Sequence, residues 1–316
     1  MRIGSMFVAA PSAEAARRFL AEYEIEAMEI SLPITPDALP DEVRRNVLDC
    51  GRGLPGQVAL HEVLPLALAH RQADFRRRLE ERIVSDLQLA GEAGIGIFTL
   101  HTTCTRTVRS LEAAWKLEDT RWLAQALDHD ITDDFAESVR VLVDLLHTLS
   151  PIAQASGVTI ALENNFRDQK FFGRRLDSLA DIRRVLDEAA LPNLAVCFDI
   201  YKAYSTEDSL PAAVYACAGR IANVHASDIE YLDTAFHHKR RAIGEGRIEW
   251  ESTLAALAAV GYNGPLILEM MRTSEDVRTS ARRLRQTLAR LRARGAAAPT
   301  VAEAGTGVRQ QPRQEG

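Results

Sequence analysis

The sequence lacks the long apolar runs, paired cysteines and basic surplus that mark several common classes of protein. None of its apolar stretches approaches the ~18 residues needed to cross a membrane. The N-terminus runs straight into a strand-like segment without a secretory apolar region or cleavage pattern. Its four cysteines show no CxxC spacing. We therefore expect a cytoplasmic protein with reduced thiols and no membrane segment.

A surplus of positive charge is also missing. The 316 residues carry a formal net charge of −6 at pH 7. Proteins that grip nucleic acid nonspecifically usually show a basic patch and a basic balance. The charge therefore weighs against a nucleic-acid partner and leaves a small molecule as the expected one.

What the sequence does contain is a set of apolar stretches that end abruptly in a polar residue. Continuous apolar runs of this length are typical of strands buried on both faces of a parallel sheet. The carboxyl ends of such strands are where α/β folds build their active sites. Four of these stretches end in a residue that can bind a metal: Thr159 to Glu163, Leu194 to Asp199, Ile221 to His225, and Leu266 to Glu269.

The order of strands and helices predicts a single (β/α)8 TIM barrel. Earlier strands are predicted at 2–8, 27–32, 57–61 and 94–101, and helical patterns alternate with all eight strands. A doubly wound open sheet is the competing architecture, but ligand-type residues at six strand ends favour a closed barrel. We predict that residues 1–294 form the barrel, that 102–130 form a long polar connection over its mouth, and that 295–316 form a disordered tail.

Glu163, Asp199 and Glu269 would supply three hard carboxylates, and His225 would supply an imidazole. This mixture suits one divalent ion, with Mn²⁺ favoured and Mg²⁺, Co²⁺ or Zn²⁺ as alternatives. Each residue alone has a simpler explanation, such as a core histidine, a helix N-cap or a partner for an arginine. Four such residues at successive strand ends would require four coincidences, so we predict a metal site.

The sequence also resembles the xylose isomerase-like barrel superfamily, which includes AP endonuclease family 2 and many sugar phosphate isomerases and epimerases. The resemblance covers residues 1 to about 293. It is carried by Ala161-Leu-Glu-Asn-Asn165, Cys197-Phe-Asp199, the H-x-x-D of His225 and Asp228, the run from Ile243 to Trp250, and the run from Gly261 to Glu269. It implies the same four metal ligands, and it is compatible with association into a homo-oligomer.

Two earlier strands end in His61 and His101, which match histidines of the same superfamily. In endonuclease IV, these positions help to bind a second metal. A third metal there requires a histidine where this chain has Lys202, and an Asp-x-His where it has His238 and Arg240. Phosphodiester cleavage depends on the additional metals, so the departure weighs against an endonuclease IV-like phosphodiesterase.

Five residues near the strand ends are predicted to bind substrate: His61, His101, Lys202, Asp228 and Arg247. A cation at Lys202 could pair with a carboxylate or phosphate of the substrate, or form only a surface ion pair. The histidines could instead pack at the top of the barrel. Arg247, directly after Gly244-Glu-Gly246, could instead begin the polar face of the last crossover helix.

The resulting hypothesis is a metal-dependent isomerase or epimerase that acts on a small polyhydroxy carbonyl compound such as a sugar. The metal would stabilise an enediolate, and the catalytic residues Glu163 and Glu269 would transfer the proton as base and acid. The same site would support dehydration if a β-hydroxyl left, so a dehydratase of the superfamily is the main alternative. A barrel that only binds a metabolite is a further one.

Overall fold

The computed structural model describes residues 1–34, 37–70, 72–103, 134–166, 176–232 and 238–297, and in it eight parallel strands close into a barrel. The barrel strands are β1 (Arg2–Phe7), β2 (Ala27–Ser31), β3 (Val58–Glu62), β4 (Ile97–His101), β5 (Thr159–Glu163), β6 (Leu194–Asp199), β7 (Ile221–Ala226) and β10 (Pro265–Leu268). Two short strands, β8 (Asp228–Leu232) and β9 (His238–Arg241), form a separate antiparallel hairpin.

Helices follow the barrel strands along the chain, as the sequence pattern predicts. They are α1 (Ala13–Glu22), α2 (Asp41–Gly53), α3 (Ala73–Glu92), α4 (Phe135–Ser156), α5 (Leu179–Ala189), α6 (Ile200–Ala203), α7 (Leu210–Ala216), α8 (Trp250–Ala259) and α9 (Ser274–Ala297). Side chains of Ser12, Asp134, Ser178 and Ser209 cap four of them by accepting backbone N–H bonds. No helix in the described ranges is both long and apolar enough to span a bilayer.

Closure of the sheet depends on β1, which pairs in parallel with β2 on one side and β10 on the other. Gly4 is needed for this close approach, since a Cβ atom there would lie 2.6 Å from the carbonyl oxygen of Ala27 on β2. The predicted TIM barrel is therefore confirmed, and the open-sheet alternative is wrong. A sheet with no edge also leaves no barrel strand exposed for pairing with another chain.

Several boundaries differ from the sequence predictions. Helix α2 was predicted to end near Leu48 but continues to Gly53. Helix α9 continues to Ala297, three residues past the predicted end of the barrel at residue 294. The hairpin of β8 and β9 was not predicted. Most of the connection predicted at 102–130, and the rest of the predicted tail, lie outside the described residues.

One group of buried charges lies beside the barrel wall, between β3 and α3. Arg82 Nε donates to Asp86 Oδ2 at 2.7 Å, and Asp86 is hydrogen bonded to Glu62, the last residue of β3. Arg82 also donates to the carbonyl oxygens of Pro33 (3.2 Å) and Asp37 in the segment after β2. We call Glu62, Arg82 and Asp86 the Arg82 cluster. It ties a strand, a helix and a connecting segment together.

Candidate metal centre

The four predicted ligands lie together at the carboxyl end of the barrel. Glu163 and Asp199 are the last residues of β5 and β6. His225 lies one residue before the end of β7, and Glu269 directly follows β10. All four are buried, and each offers a ligand atom within 4.8 Å of those of the others. We call these four residues the ligand cluster.

Two asparagines after Glu163 hold neighbouring strand ends in register. Asn164 Oδ1 accepts from the Asp199 backbone N–H at 2.8 Å, and its Nδ2 donates to the Asp199 carbonyl oxygen at 3.0 Å. Asn165 Nδ2 donates to Thr102 Oγ1 at 2.8 Å, just beyond β4. The Glu-Asn-Asn motif therefore fixes the ends of three strands around the ligand cluster.

Asp199 is the helix N-cap that its sequence position allowed, and it also lies within the ligand cluster. Its Oδ1 accepts from the Lys202 backbone N–H at 3.1 Å and caps the short helix α6. Its Oδ2 is buried, accepts no hydrogen bond, and lies 3.1 Å from Lys202 Nζ. Burial raises the pKa of Asp199 to about 7, assisted by the nearby Glu269 and Glu163 and opposed by Lys202.

Glu163 is surrounded by cationic and imidazole groups. Its Oε1 accepts from Lys202 Nζ at 2.6 Å and lies 2.7 Å from His225 Nδ1. His101 Nε2 lies 2.6 Å from its Oε2. Burial alone would raise the pKa of Glu163, but Lys202, His101 and His225 outweigh it and hold the pKa well below its usual range. Glu163 is therefore ionised, which a metal ligand requires.

A layer of polar side chains inside the barrel, below the ligand cluster, was not found by sequence reasoning. Glu29 Oε1 accepts from Thr99 Oγ1 at 2.8 Å and from Asn223 Nδ2 at 2.9 Å. Its Oε2 lies 2.6 Å from His225 Nε2. A carboxylate against one imidazole nitrogen orients the ring and directs the other nitrogen, here Nδ1, toward the remaining ligands.

His61 and His101 also lie at this end of the barrel. Their rings are 4.9 Å apart, and the ring of His61 is 5.3 Å from that of His225. His61 Nε2 lies 3.4 Å from Glu163 Oε2. Burial lowers the pKa of His101 to about 4, so its imidazole is neutral at pH 7. Together with Glu163, the two histidines form a second, three-residue group with metal-ligand spacing.

The hairpin of β8 and β9 brings Arg240 to the ligand cluster. Arg240 Nη1 donates to Glu269 Oε2 at 2.9 Å, and its guanidinium lies 4.3 Å from the centre of the Tyr201 ring. Burial would raise the pKa of Glu269, but Arg240, Lys202 and His225 lower it to about 2. The sequence indicated Arg240 only as a departure from a metal motif, and the structure adds its contact with Glu269.

Asp228, predicted to bind substrate, instead has its carboxylate fully engaged by the protein. Its Oδ1 accepts from the backbone N–H groups of Ile229 (2.8 Å) and Ile248 (3.1 Å). Its Oδ2 accepts from Gly244 N (2.7 Å) and Trp250 Nε1 (2.9 Å). A carboxylate has about four acceptor positions, and all are used here. This arrangement is typical of a residue that holds a loop, and a substrate contact by Asp228 stays a prediction.

Arg247 lies on the loop between β9 and α8, and its side chain is exposed. Its backbone N–H donates to the Ile229 carbonyl oxygen at 2.8 Å, which pins the loop to the hairpin. Of the five residues predicted to bind substrate, His61, His101 and Lys202 contact a member of the ligand cluster, and Asp228 and Arg247 hold the adjoining loop. Their roles toward a substrate stay predictions.

The donor set fits a divalent metal ion. Three carboxylates and one imidazole match the preference of hard to borderline divalent ions. Buried Glu163 Oε2 and Asp199 Oδ2 accept no bond with hydrogen-bond geometry, but Oε2 lies 2.6 Å from His101 Nε2 and Oδ2 lies 3.1 Å from Lys202 Nζ. Nitrogen groups of the chain therefore already face these oxygens, and the four residues lie close enough together to hold a cation.

The fold and site together define a class of protein, and comparison with known families agrees. Residues 17–294 match the sequence model of the family described as xylose isomerase-like TIM barrel. The chain therefore belongs to this family, as the sequence motifs predicted.

Individual relatives are more distant. D-psicose 3-epimerase of Ruminiclostridium cellulolyticum is 25% identical over 127 residues, which are 40% of this chain and 39% of that protein. 3-Dehydro-D-guloside 4-epimerase of Escherichia coli is 26% identical over 155 residues, which are 48% of this chain and 53% of that protein. The matched part thus spans about half or less of these curated relatives. A structure of L-ribulose 3-epimerase shares the fold, with a TM-score of 0.70 and 17% identity over 96% of this chain and 99% of that one.

Proposed function

We propose that the protein is a divalent-metal-dependent epimerase or isomerase of sugars or sugar-like keto compounds. The observation that carries this proposal is the meeting of Glu163, Asp199, His225 and Glu269 at one end of a closed barrel. The partial matches to two sugar epimerases support the substrate class. The preference for Mn²⁺ is part of the proposal. The substrate is proposed as a class, that of sugars and sugar-like keto compounds.

The ligand cluster would hold the metal, with His225 oriented by Glu29 and Asp199 oriented by its cap on α6. The bound metal would supply a Lewis acid that stabilises negative charge on the oxygens of the substrate when a proton leaves the adjacent carbon. His61 and His101, at the same end of the barrel, would offer hydrogen bonds to substrate hydroxyl groups. The neutral His101 side chain can either donate or accept such a bond.

Glu163 and Glu269 would move the proton. In the barrel, β5 and β10 are separated by β6 and β7, so the two carboxylates enter the site from different sides. Lys202 and Arg240 keep them ionised, and the carboxylate is the form that removes a proton. Delivery of a proton to the opposite face by the other glutamate, after that glutamate has taken one up from solvent, would give an epimer. Return of the first proton to the neighbouring carbon would give an isomer.

The test is an incubation in D₂O with Mn²⁺ over a panel of ketoses, inososes and keto acids, followed by NMR. We expect deuterium beside a carbonyl in a metal-dependent reaction that a chelator stops. Glu163→Gln and Glu269→Gln should each reduce conversion by about 10²- to 10⁴-fold, the usual contribution of a general acid or base.

Glu62→Gln is the matched control because Glu62 is also a buried glutamate at a strand end, but it contacts Asp86 rather than the ligand cluster. It should retain full conversion. Loss of water from the substrate would instead identify the dehydratase. Conversion that survives both Glu163→Gln and Glu269→Gln would contradict the proposed acid and base.

A further inference from the structure

Lys202 places a positive charge between two of the proposed metal ligands. Its side chain is 6% exposed, and its Nζ lies 2.6 Å from Glu163 Oε1 and 3.1 Å from Asp199 Oδ2. The position is fixed by the backbone, because Lys202 lies in α6, whose N-cap is Asp199 itself. The ammonium group is therefore an integral part of the ligand cluster rather than a surface charge that happens to reach it.

A third carboxylate of the ligand cluster, that of Glu269, also has a cationic partner. Glu269 is paired with Arg240 at 2.9 Å, so each carboxylate of the ligand cluster lies within 3.1 Å of a cationic side chain of the chain itself. Buried carboxylates close together repel one another unless cations or protons neutralise them. Lys202 and Arg240 supply that neutralisation without a metal.

A divalent ion held by the ligand cluster would share the carboxylates that Lys202 contacts. Such ions bond to carboxylate oxygens at about 2.1 Å. Because Nζ lies 2.6 Å from a Glu163 oxygen and 3.1 Å from an Asp199 oxygen, an ion bonded to either oxygen would lie within about 5 Å of Nζ. Two cations at this separation in a buried site repel strongly because little water screens them.

We propose that Lys202 is a built-in competitor of the metal ion: its ammonium group joins Glu163 to Asp199 in the metal-free protein, and a metal binds by displacing it. The inference rests on the metal centre of the proposed function but not on the reaction. It has two consequences. The chain binds metal more weakly than its ligands alone would, and its metal-free form does not need the metal to hold the carboxylates together.

The direct test is isothermal titration of Mn²⁺ into metal-free wild type and Lys202→Met, at fixed pH and ionic strength and without substrate. Methionine keeps most of the length of the side chain and removes the charge. We expect Lys202→Met to bind Mn²⁺ at least tenfold more tightly than wild type. Lys202→Arg, which keeps the charge, should bind no more tightly than wild type.

Lys239→Met is the matched control. Lys239 also pairs with a glutamate, Glu230, at 3.1 Å, but its side chain is 37% exposed and the pair lies on the hairpin. This variant should bind Mn²⁺ within about twofold of wild type, because exposed ion pairs contribute little to their surroundings. A general effect of removing a lysine would appear equally in both variants.

Thermal denaturation supplies a second readout that needs no substrate. In chelator, Lys202→Met should melt below wild type because Glu163 and Asp199 lose their shared cation, and Mn²⁺ should raise its Tm more than it raises that of wild type. If Lys202→Met does not fold without metal, Lys202→Gln, which can still donate hydrogen bonds to both carboxylates, replaces it in the titration.

The outcomes separate the two proposals. Equal or weaker Mn²⁺ binding by the uncharged variants, with wild type binding normally, overturns the competition and leaves the metal centre intact. Absence of Mn²⁺ binding in wild type and in every variant overturns both. Tighter binding by Lys202→Met, with no change in Lys239→Met, supports the competition whether or not a substrate has been found.

Discussion

The ligand cluster and the Arg82 cluster are both groups of buried carboxylates beside a cation, and both include the last residue of a barrel strand. They differ in how the negative charge is neutralised. In the Arg82 cluster, Glu62 Oε1 accepts from the backbone N–H groups of Val63 and Leu64, and Arg82 bonds to Asp86. In the ligand cluster, Lys202 and Arg240 pair with carboxylates that face one another across the mouth of the barrel.

The direction of the pKa shifts expresses this difference. Burial raises the pKa of Glu62 well above its usual range, and burial also raises that of Asp86. Burial therefore favours the protonated form of this pair. In the ligand cluster, cations lower the pKa values of Glu163 and Glu269, whereas burial raises the pKa of Asp199 to about 7. Buried acids alone do not identify a site, whereas buried acids that cations keep ionised have the capacity to bind a metal ion.

The largest effect is expected from removing the cation of the Arg82 cluster. Arg82→Met leaves a buried carboxylate charge without its partner, which typically costs about 3–5 kcal/mol of stability. Urea denaturation would measure it. Arg77→Met, on the exposed face of the same helix, should leave the free energy of unfolding unchanged within error. A large loss of Mn²⁺ affinity in refolded Arg82→Met would contradict the distinction between the two clusters, because it would show that metal binding depends on the Arg82 cluster.

A matched pair of aspartate changes tests the ligand cluster next. Asp199→Asn keeps the cap on α6, since asparagine is as good an N-cap as aspartate, but removes the charge. We expect Mn²⁺ affinity to fall by about 100-fold or more, the upper end of what even outer contacts of a metal site contribute. Asp86→Asn makes the same chemical change in the Arg82 cluster. Isothermal titration should show that Asp86→Asn binds Mn²⁺ as tightly as wild type. Similar losses of Mn²⁺ affinity in both variants would contradict the assignment of Asp199 as a metal ligand.

The smallest effect concerns the dependence of stability on pH. Because the folded pKa of Glu62 is raised above its unfolded value of about 4.5, the folded protein keeps a proton that the unfolded chain releases. The stabilisation that comes from this proton is complete below pH ~4.5 and is lost as the pH rises through the folded pKa. Glutamine cannot ionise, so Glu62→Gln does not lose stability in this way. At the alkaline end, its free energy of unfolding should exceed that of wild type by on the order of 1 kcal/mol. Urea denaturation from pH 5 to 9 measures the difference, and parallel curves for the two proteins would refute it.

The barrel could be predicted from the sequence because each strand is a short apolar run. The meeting of the four candidate ligands could be predicted because they lie at the ends of those runs. Glu29 is different. It lies inside β2 between Met28 and Ile30, and an acid in the middle of an apolar strand was the only signal of its role. Its partner His225 lies far along the chain. Nothing local to β2 indicates which residue across the barrel it will meet.

The contacts of Arg240 and Lys202 could not be predicted for a related reason. Arg240 reaches Glu269 only because two short strands fold back over the barrel mouth. Its own strand β9, with the sequence His-Lys-Arg-Arg, has no apolar residue that would indicate a strand. From the sequence, the expected partner of Lys202 was either a substrate anion or a carboxylate on the protein surface. The side chain instead makes a buried ion pair with Glu163 and Asp199, which is decided by the geometry of α6 rather than by residue type.

The anchoring of the hairpin by Asp228 has a consequence for how this barrel can diversify. Asp228 begins β8, and its four bonds fasten the base of the hairpin to the loop before α8. Because these bonds hold the hairpin that carries Arg240, a change at Asp228 can move the guanidinium away from Glu269 while the ligand cluster itself stays the same. Barrels of this kind can therefore diversify in the charge beside the ligand cluster without changing any of its members.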